Sequence, residues 1–241
     1  NLFADFGEMN PVEPEFPQCE NWTKLNQLKK EKDVVGIYIS GHPLDDYMDS
    51  VRFFSNIKLN DLKNLNPLVD KEIRIAGIIG EVEHKISKNG KGWATFILED
   101  YYESYELRIF GEDYLKFKHF LIENNFVCLK MFVKEGWKDR DTGRVGDPRI
   151  QYLSFQQLQD SLSINAKRIL IKVDAHLLEE NHIKLFKNIL KKHKGHQDII
   201  FNLIGDENAL RLNLSCPNQK VKINEQLLKK LKQNKFEFRL N

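Results

Sequence analysis

The run Glu72–Ile86, EIRIAGIIGEVEHKI, constrains the fold more than any other stretch of the chain. Its isoleucines and valine favour extended backbone, and Gly77 and Gly80 inside it suit a strongly bent strand. Ser87-Lys88-Asn89-Gly90-Lys91 follows, with the Asn-Gly pair of a tight hairpin turn. A second strand is expected over residues 92–101 and a third over 105–110. Residues 112–124 then read as a helix with Tyr114, Phe117 and Leu121 on one stripe. A fourth strand over 126–135, a loop over 136–147 and a fifth strand over 149–155 complete the pattern. Three strands, a helix and two strands within residues 71–157 is the order of a five-stranded OB-fold barrel, with a generic small barrel as its competitor.

The flanks differ in texture. Residues 1–21 carry Pro11, Pro14 and Pro17 among acidic side chains and read as a tether, because no helical or strand period survives that spacing. Residues 22–70 read as short helices over 23–40, 43–54 and 59–65, with His42 a turn residue between Gly41 and Pro43. Beyond a polar link, residues 166–241 read as a small α+β unit. Its strands are expected over 168–173, 198–204, 210–214 and 220–223, with a last one carrying Phe236, Phe238 and Leu240. Its helices are expected over 177–194, closed by Gly195, and over 225–233, capped by Asn224. The class is therefore α+β, mainly β.

The net charge of +2 hides an uneven distribution. Residues 1–20 hold five acidic groups and no Lys or Arg, and residues 166–241 hold 16 basic against 8 acidic groups, +8. The barrel segment 71–157 is balanced at 14 of each, so it offers no general attraction for a polyanion. Cys19, Cys128 and Cys216 form neither a metal-ligand spacing nor a disulfide framework, and a reducing cytoplasmic compartment is expected. No stretch approaches the ~18 apolar residues of a membrane span.

Catalytic patterns are not found. The chain has no glycine-rich phosphate loop, no HExxH and no GxSxG. His193 and His196 straddle Gly195 without a third ligand, and Glu99 and Asp100 are adjacent on a strand and so point to opposite faces. No catalytic residue, metal or cofactor is expected, and the chain itself is read as non-enzymatic.

Alternation assigns the faces of the barrel. Ala94, Phe96 and Leu98 form one set on strand two and Trp93, Thr95 and Ile97 the other; Tyr105, Leu107 and Ile109 are expected in the core, leaving Glu106, Arg108 and Phe110 outward. The first hairpin supplies Lys85, Lys88 and Lys91, and the loop between strands four and five supplies Trp137, Lys138, Arg140 and Arg144. Aromatic rings for bases (Trp93, Phe110, Trp137) interleaved with cations for phosphates make the composition that single-stranded nucleic acid binding needs. Two facts favour a barrel used only as a spacer: the balanced charge, and Glu103, Glu106, Asp139 and Asp141 close to the groove.

Residues Lys32-Asp33-Val34-Val35-Gly36-Ile37-Tyr38-Ile39-Ser40-Gly41-His42-Pro43-Leu44-Asp45-Asp46-Tyr47 closely resemble the segment before the OB domain of the bacterial replicative DNA polymerase III alpha subunit. The IRIAGII start, the Lys88-Asn89-Gly90-Lys91 turn, and Trp93-Ala94 leading to Leu98-Glu99-Asp100 are similar too. The resemblance implies a C-terminal fragment of that subunit, with the polymerase active site upstream. It implies an OB domain for single-stranded template DNA and a C-terminal domain that docks on the clamp-loader tau subunit. It also implies a sliding-clamp motif, whose last two positions match Leu2 and Phe3 and whose Gln would precede residue 1. A protein-interaction scaffold that never touches nucleic acid is the alternative. A tRNA-recognition fragment is disfavoured, since no synthetase motif accompanies the barrel.

Overall fold

A computed structural model describes residues 19–138, 144–174, 180–205 and 211–240. The chain divides into two compact units at His42 and Pro43.

The first unit is built on one helix, α1 (Lys24–Val35). Thr23 caps it by accepting from the Asn26 amide at 3.3 Å. The helix ends earlier than the expected residue 40 because Gly36 takes a left-handed φ of 86°, the conformation of a helix stop. The chain then folds back onto Glu31, whose carboxylate accepts from the amides of Ile39 and Ser40 at 3.1 and 2.9 Å. These bonds and the Ser40 hydroxyl hold the Glu31 carboxyl down at about 2.

The second unit opens with a 3₁₀ turn (Pro43–Tyr47) that runs into α2 (Met48–Phe54), where one continuous helix was expected. Two further 3₁₀ turns, Leu59–Lys63 and Asn66–Leu68, lead to a five-stranded antiparallel sheet. Its strands are β1 (Glu72–Ile86), β2 (Gly92–Glu99), β3 (Ser104–Phe110), β4 (Phe126–Lys134) and β5 (Arg149–Gln157), in the order β3-β2-β1-β4-β5. The long β1 serves two partners. Residues 72–78 pair with β4 and residues 78–86 with β2, with a register shift between Ile79 and Val82. Gly77 makes the crossing possible, since a Cβ there would lie 2.5 Å from the Glu99 carbonyl oxygen.

Helix α3 (Gly111–Phe117) lies between β3 and β4, as expected, but it is shorter than the sequence period implied. A 3₁₀ turn over Lys118–Phe120 follows it. Phe117 stacks on Phe155 of β5 at 4.5 Å and 11°, so a tertiary contact takes over from the helical repeat. Beneath the sheet, Ile73, Ile75, Phe96, Leu98, Leu107, Ile109, Leu129 and Met131 form one core with Phe117 and Phe155. On its other face Leu44 and Phe54 bury against Ala76, Cys128 and Leu158. Burial of a side chain such as Phe54 stabilises by about 1.5–3 kcal/mol.

After a 3₁₀ turn (Leu158–Asp160) and α4 (Ser161–Asn165) comes a four-stranded sheet of order β8-β7-β6-β9. It comprises β6 (Arg168–Asp174), β7 (Lys194–Ile204), β8 (Arg211–Ser215) and β9 (Glu237–Leu240), with β6 and β7 parallel and the other pairs antiparallel. Helices α5 (Glu180–Lys192) and α6 (Glu225–Gln233) cover one face, burying Phe186, Ile189, Leu190, Leu227, Leu228 and Leu231 against Ile169, Ile171 and Ile199. Asn224 caps α6 as expected, accepting from the Leu227 amide at 2.9 Å. Two expectations change. Gly195 is not a helix stop: it lies in β7, where the backbone of Val221 and Lys222 passes too close for any Cβ. The strand expected over 220–223 reduces to bridges from Val221 to Lys194 and Gln197.

Among the described residues, no helix is long and apolar enough to cross a membrane.

Candidate nucleic-acid interface

The β1–β2 turn is built as its sequence requires. Ser87 and Lys91 close it through Ser87 N to Lys91 O at 2.9 Å and Lys91 N to Ser87 Oγ at 3.1 Å, and Gly90 supplies the positive φ of 73°. This hairpin sets the register of the outer face. Lys85 sits opposite Trp93, and Trp93 opposite Phe110, giving one row across three strands. The next row is Glu83, Thr95 and Arg108, and Ile97 faces Glu106 beyond it. Ala94, Phe96, Leu98, Leu107 and Ile109 point inward and are buried, so the assignment of faces by alternation agrees with the structure.

The first row is an aromatic platform. The rings of Trp93 and Phe110 stack with centroids 5.3 Å apart and planes 19° apart, and Phe110 is 56% exposed. Lys85 Nζ lies over the Trp93 ring at 5.3 Å. That lysine also touches Glu83 at 2.5 Å, and the contact holds the Glu83 carboxyl below its usual range. Arg108 is held in the same way by Glu106, with Nε and Nη2 at 3.0 and 2.9 Å from one carboxylate oxygen. Two of the proposed phosphate cations therefore carry a carboxylate partner. Lys88 and Lys91, at the hairpin tip, make no ion pair among the described residues.

Three of the remaining sequence candidates, Trp137, Lys138 and Arg144, occupy a second element, the arm between β4 and β5. Its stem is closed by the amide of Gly146 donating to the Trp137 carbonyl at 3.0 Å and by a bridge between Lys138 and Val145. Trp137 is 71% exposed, and its ring partner is the Arg149 guanidinium at 5.8 Å. Lys138 and Arg144 flank this stem, while Arg140 lies outside the described residues, as do Leu2 and Phe3. The sequence reading missed Glu83 and Arg149 as partners of its candidates. Glu83 was available in principle, because residues two apart on a strand share a face with Lys85.

No cluster of three or more His, Cys, Asp or Glu side chains among the described residues is arranged to hold a metal ion. What the outer face can do chemically is stack planar rings and meet a few phosphates.

Comparison with known proteins finds likeness first in the C-terminal residues and then over most of the chain. Residues 169–241 match the family described as the DNA polymerase III alpha subunit, C-terminal domain. The alpha subunit of Saccharopolyspora erythraea is 25% identical over 205 residues, covering 81% of this chain and 16% of that protein. That of Campylobacter jejuni is 25% identical over 224 residues, covering 91% and 18%. That of Treponema pallidum is 31% identical over 107 residues, covering 44% and 9%. The chain thus spans less than a fifth of the length of these relatives. The expected resemblance holds: over most of its length the chain is similar to the bacterial DNA polymerase III alpha subunit, and its last third matches that family's C-terminal domain.

Proposed function

We propose that the chain serves DNA replication as the non-catalytic C-terminal region of a polymerase alpha subunit in the bacterial cytoplasm. In this reading the five-stranded sheet closes as an OB barrel and holds single-stranded template DNA across β1, β2 and β3. The hydroxyl of Tyr152 on β5 donates to the carbonyl of Arg108 on β3 at 3.0 Å, which supports closure of the two sheet edges on one another. The observation that carries the reading is the row Lys85, Trp93, Phe110: stacked rings beneath a cation, facing outward on the strands an OB barrel uses. Trp137, Lys138, Arg140 and Arg144 would flank the strand from the β4–β5 arm. Likeness to the alpha subunit supports two protein partners: the clamp-loader tau subunit on residues 166–241, and the sliding clamp through Leu2 and Phe3.

Anisotropy of a labelled 15-nucleotide oligo-dT tests the barrel. Binding tighter than ~100 μM at about 50 mM salt is expected, weakening at about 200 mM with a shallow slope of roughly −0.7 per neutralised phosphate. Trp93→Ala with Phe110→Ala should weaken it about 5- to 100-fold, the loss of one or two stacked bases. Binding that the double variant leaves untouched overturns the assignment.

The pairing of Lys85 with Glu83 and of Arg108 with Glu106 favours a second reading, a barrel that serves only as an interaction scaffold. Absence of oligonucleotide binding at low salt would select it.

A further inference from the structure

Strand β9 is the last strand of the second sheet, hydrogen-bonded to β6 on one side and to no other strand among the described residues. An edge strand leaves alternate N–H and C=O groups unpaired, ready to accept another chain. Beside it lies a cleft of about 890 Å3 that reaches from α2 across β9. Phe53 of α2 and Phe236 and Phe238 give the cleft an apolar lining. Four cations border it, and they are not equivalent. Lys232 is held by Asp49 at 2.6 and 2.7 Å, and Lys172 by Glu237 at 2.8 Å. Arg52 and Arg239, both exposed, form no ion pair within 4 Å among the described residues, although the charge of Arg239 helps Lys172 hold the Glu237 carboxyl below its usual range.

We propose that this cleft is a strand-addition site for an extended acidic segment of another protein. The segment pairs its backbone with the outer edge of β9, sets carboxylates on Arg52 and Arg239, and lays an apolar side chain on Phe53 and Phe236. The chemistry selects a peptide over a nucleic acid. A phosphodiester chain has no donors to match a strand edge, and Asp49 and Glu237 within the cleft repel a continuous line of phosphates while leaving two separate arginines for two carboxylates. The site lies on the second sheet and uses none of the residues of the single-strand reading, so either can fail alone.

The probe is a fluorescein-labelled octapeptide alternating glutamate with valine, titrated into the whole chain. The expected results are saturable binding, at least tenfold weaker affinity for Arg52→Glu with Arg239→Glu, and a similar loss when every backbone amide of the peptide is methylated. Hydrogen exchange at Glu237–Leu240 should slow in the complex, and Trp93→Ala should change nothing. Four results overturn the proposal: no binding at 1 mM peptide, equal binding of the methylated peptide, indifference to the arginine pair, or displacement of the peptide by oligo-dT with a parallel loss of DNA affinity in the arginine variant.

Discussion

Glu225, in the first turn of α6, accepts a hydrogen bond from the backbone amide of Ser50 in α2 at 2.6 Å, joining segments 175 residues apart. Two turns further along α6, Lys232 makes a second clasp with Asp49, the residue before Ser50, at 2.6 Å. Through α2 the back of the five-stranded sheet, where Phe54 is buried, is tied to the helical face of the second sheet, against which Phe53 packs. The clasp is half-buried, and that gives it a measurable dependence on pH.

Burial pushes the Glu225 carboxyl above its usual range, against the pull of the Ser50 hydrogen bonds and Lys232 and with the push of Asp49. An acid raised in the folded state binds its proton more tightly there than in the unfolded chain. Its contribution to stability is therefore full below the unfolded value of 4.5 and is lost as pH rises through the raised folded value. Glu225→Gln keeps the acceptor and removes the charge. Its melting temperature should match the parent's near pH 4 and exceed it at neutral pH, whereas Glu225→Ala, which leaves the Ser50 amide unpaired, should lose about 1 kcal/mol at either pH. A Gln variant that is less stable at pH 7 than at pH 4, relative to the parent, would show that the ionised form is the favoured one.

Gln197, 2% exposed, is the polar knot of the second core. Its amide nitrogen donates to the carbonyls of Leu162 and Ala166 at 3.0 and 2.6 Å, and its oxygen accepts from the Ile223 amide at 2.5 Å. Gln197→Leu fills the space and strands the Ala166 carbonyl and the Ile223 amide, at about 1–3 kcal/mol for each one left unpaired, while the Leu162 carbonyl keeps the Ala166 amide at 3.0 Å. Urea unfolding should show a midpoint lowered by about 2–4 kcal/mol equivalent with an unchanged slope. A loss below about 0.5 kcal/mol, the range of neutral surface changes, would mean that water or a backbone shift replaces the knot.

Thiol chemistry separates the cysteines. Cys128 is fully buried in β4, and burial pushes its thiol up to about 12, while Cys19 is exposed. An aromatic disulfide reagent at pH 8 should modify Cys19 in the native chain and reach Cys128 only in denaturant. Cys128→Ser should leave the native labelling stoichiometry unchanged; a drop by one thiol would contradict the packing of β4 against α2.

The strands were legible because alternation is a local signal: Ala94, Phe96 and Leu98 declare their face without any knowledge of the partner. Gly77 and the Asn89-Gly90 turn were legible for the same reason, each being a backbone requirement written into one or two residues. Helix ends were harder. Ile37 and Ile39 extend the apolar period of α1 past Gly36, but the positive φ of that glycine stops the helix, and both isoleucines stay exposed. The end of α3 depends on Phe155, distant in sequence, and the close passage at Gly195 depends on Val221. Of the candidate face, the Trp93–Phe110 pairing followed from alternation. The quenching of Arg108 by Glu106 needed side-chain geometry, and the cleft at β9 is shaped by an α2 that lies some 180 residues earlier.

The platform formed by Trp93 and Phe110 is the heart of the account, and Trp93 can report on itself. With Trp22→Phe and Trp137→Phe in place, Trp93 is the one remaining indole of the chain's three. Titration with oligo-dT at low salt should quench its emission along the same isotherm as the anisotropy change, and Lys88→Glu with Lys91→Glu should shift both curves to weaker binding together. Anisotropy that rises while Trp93 emission stays constant would place the strand elsewhere and contradict the assignment.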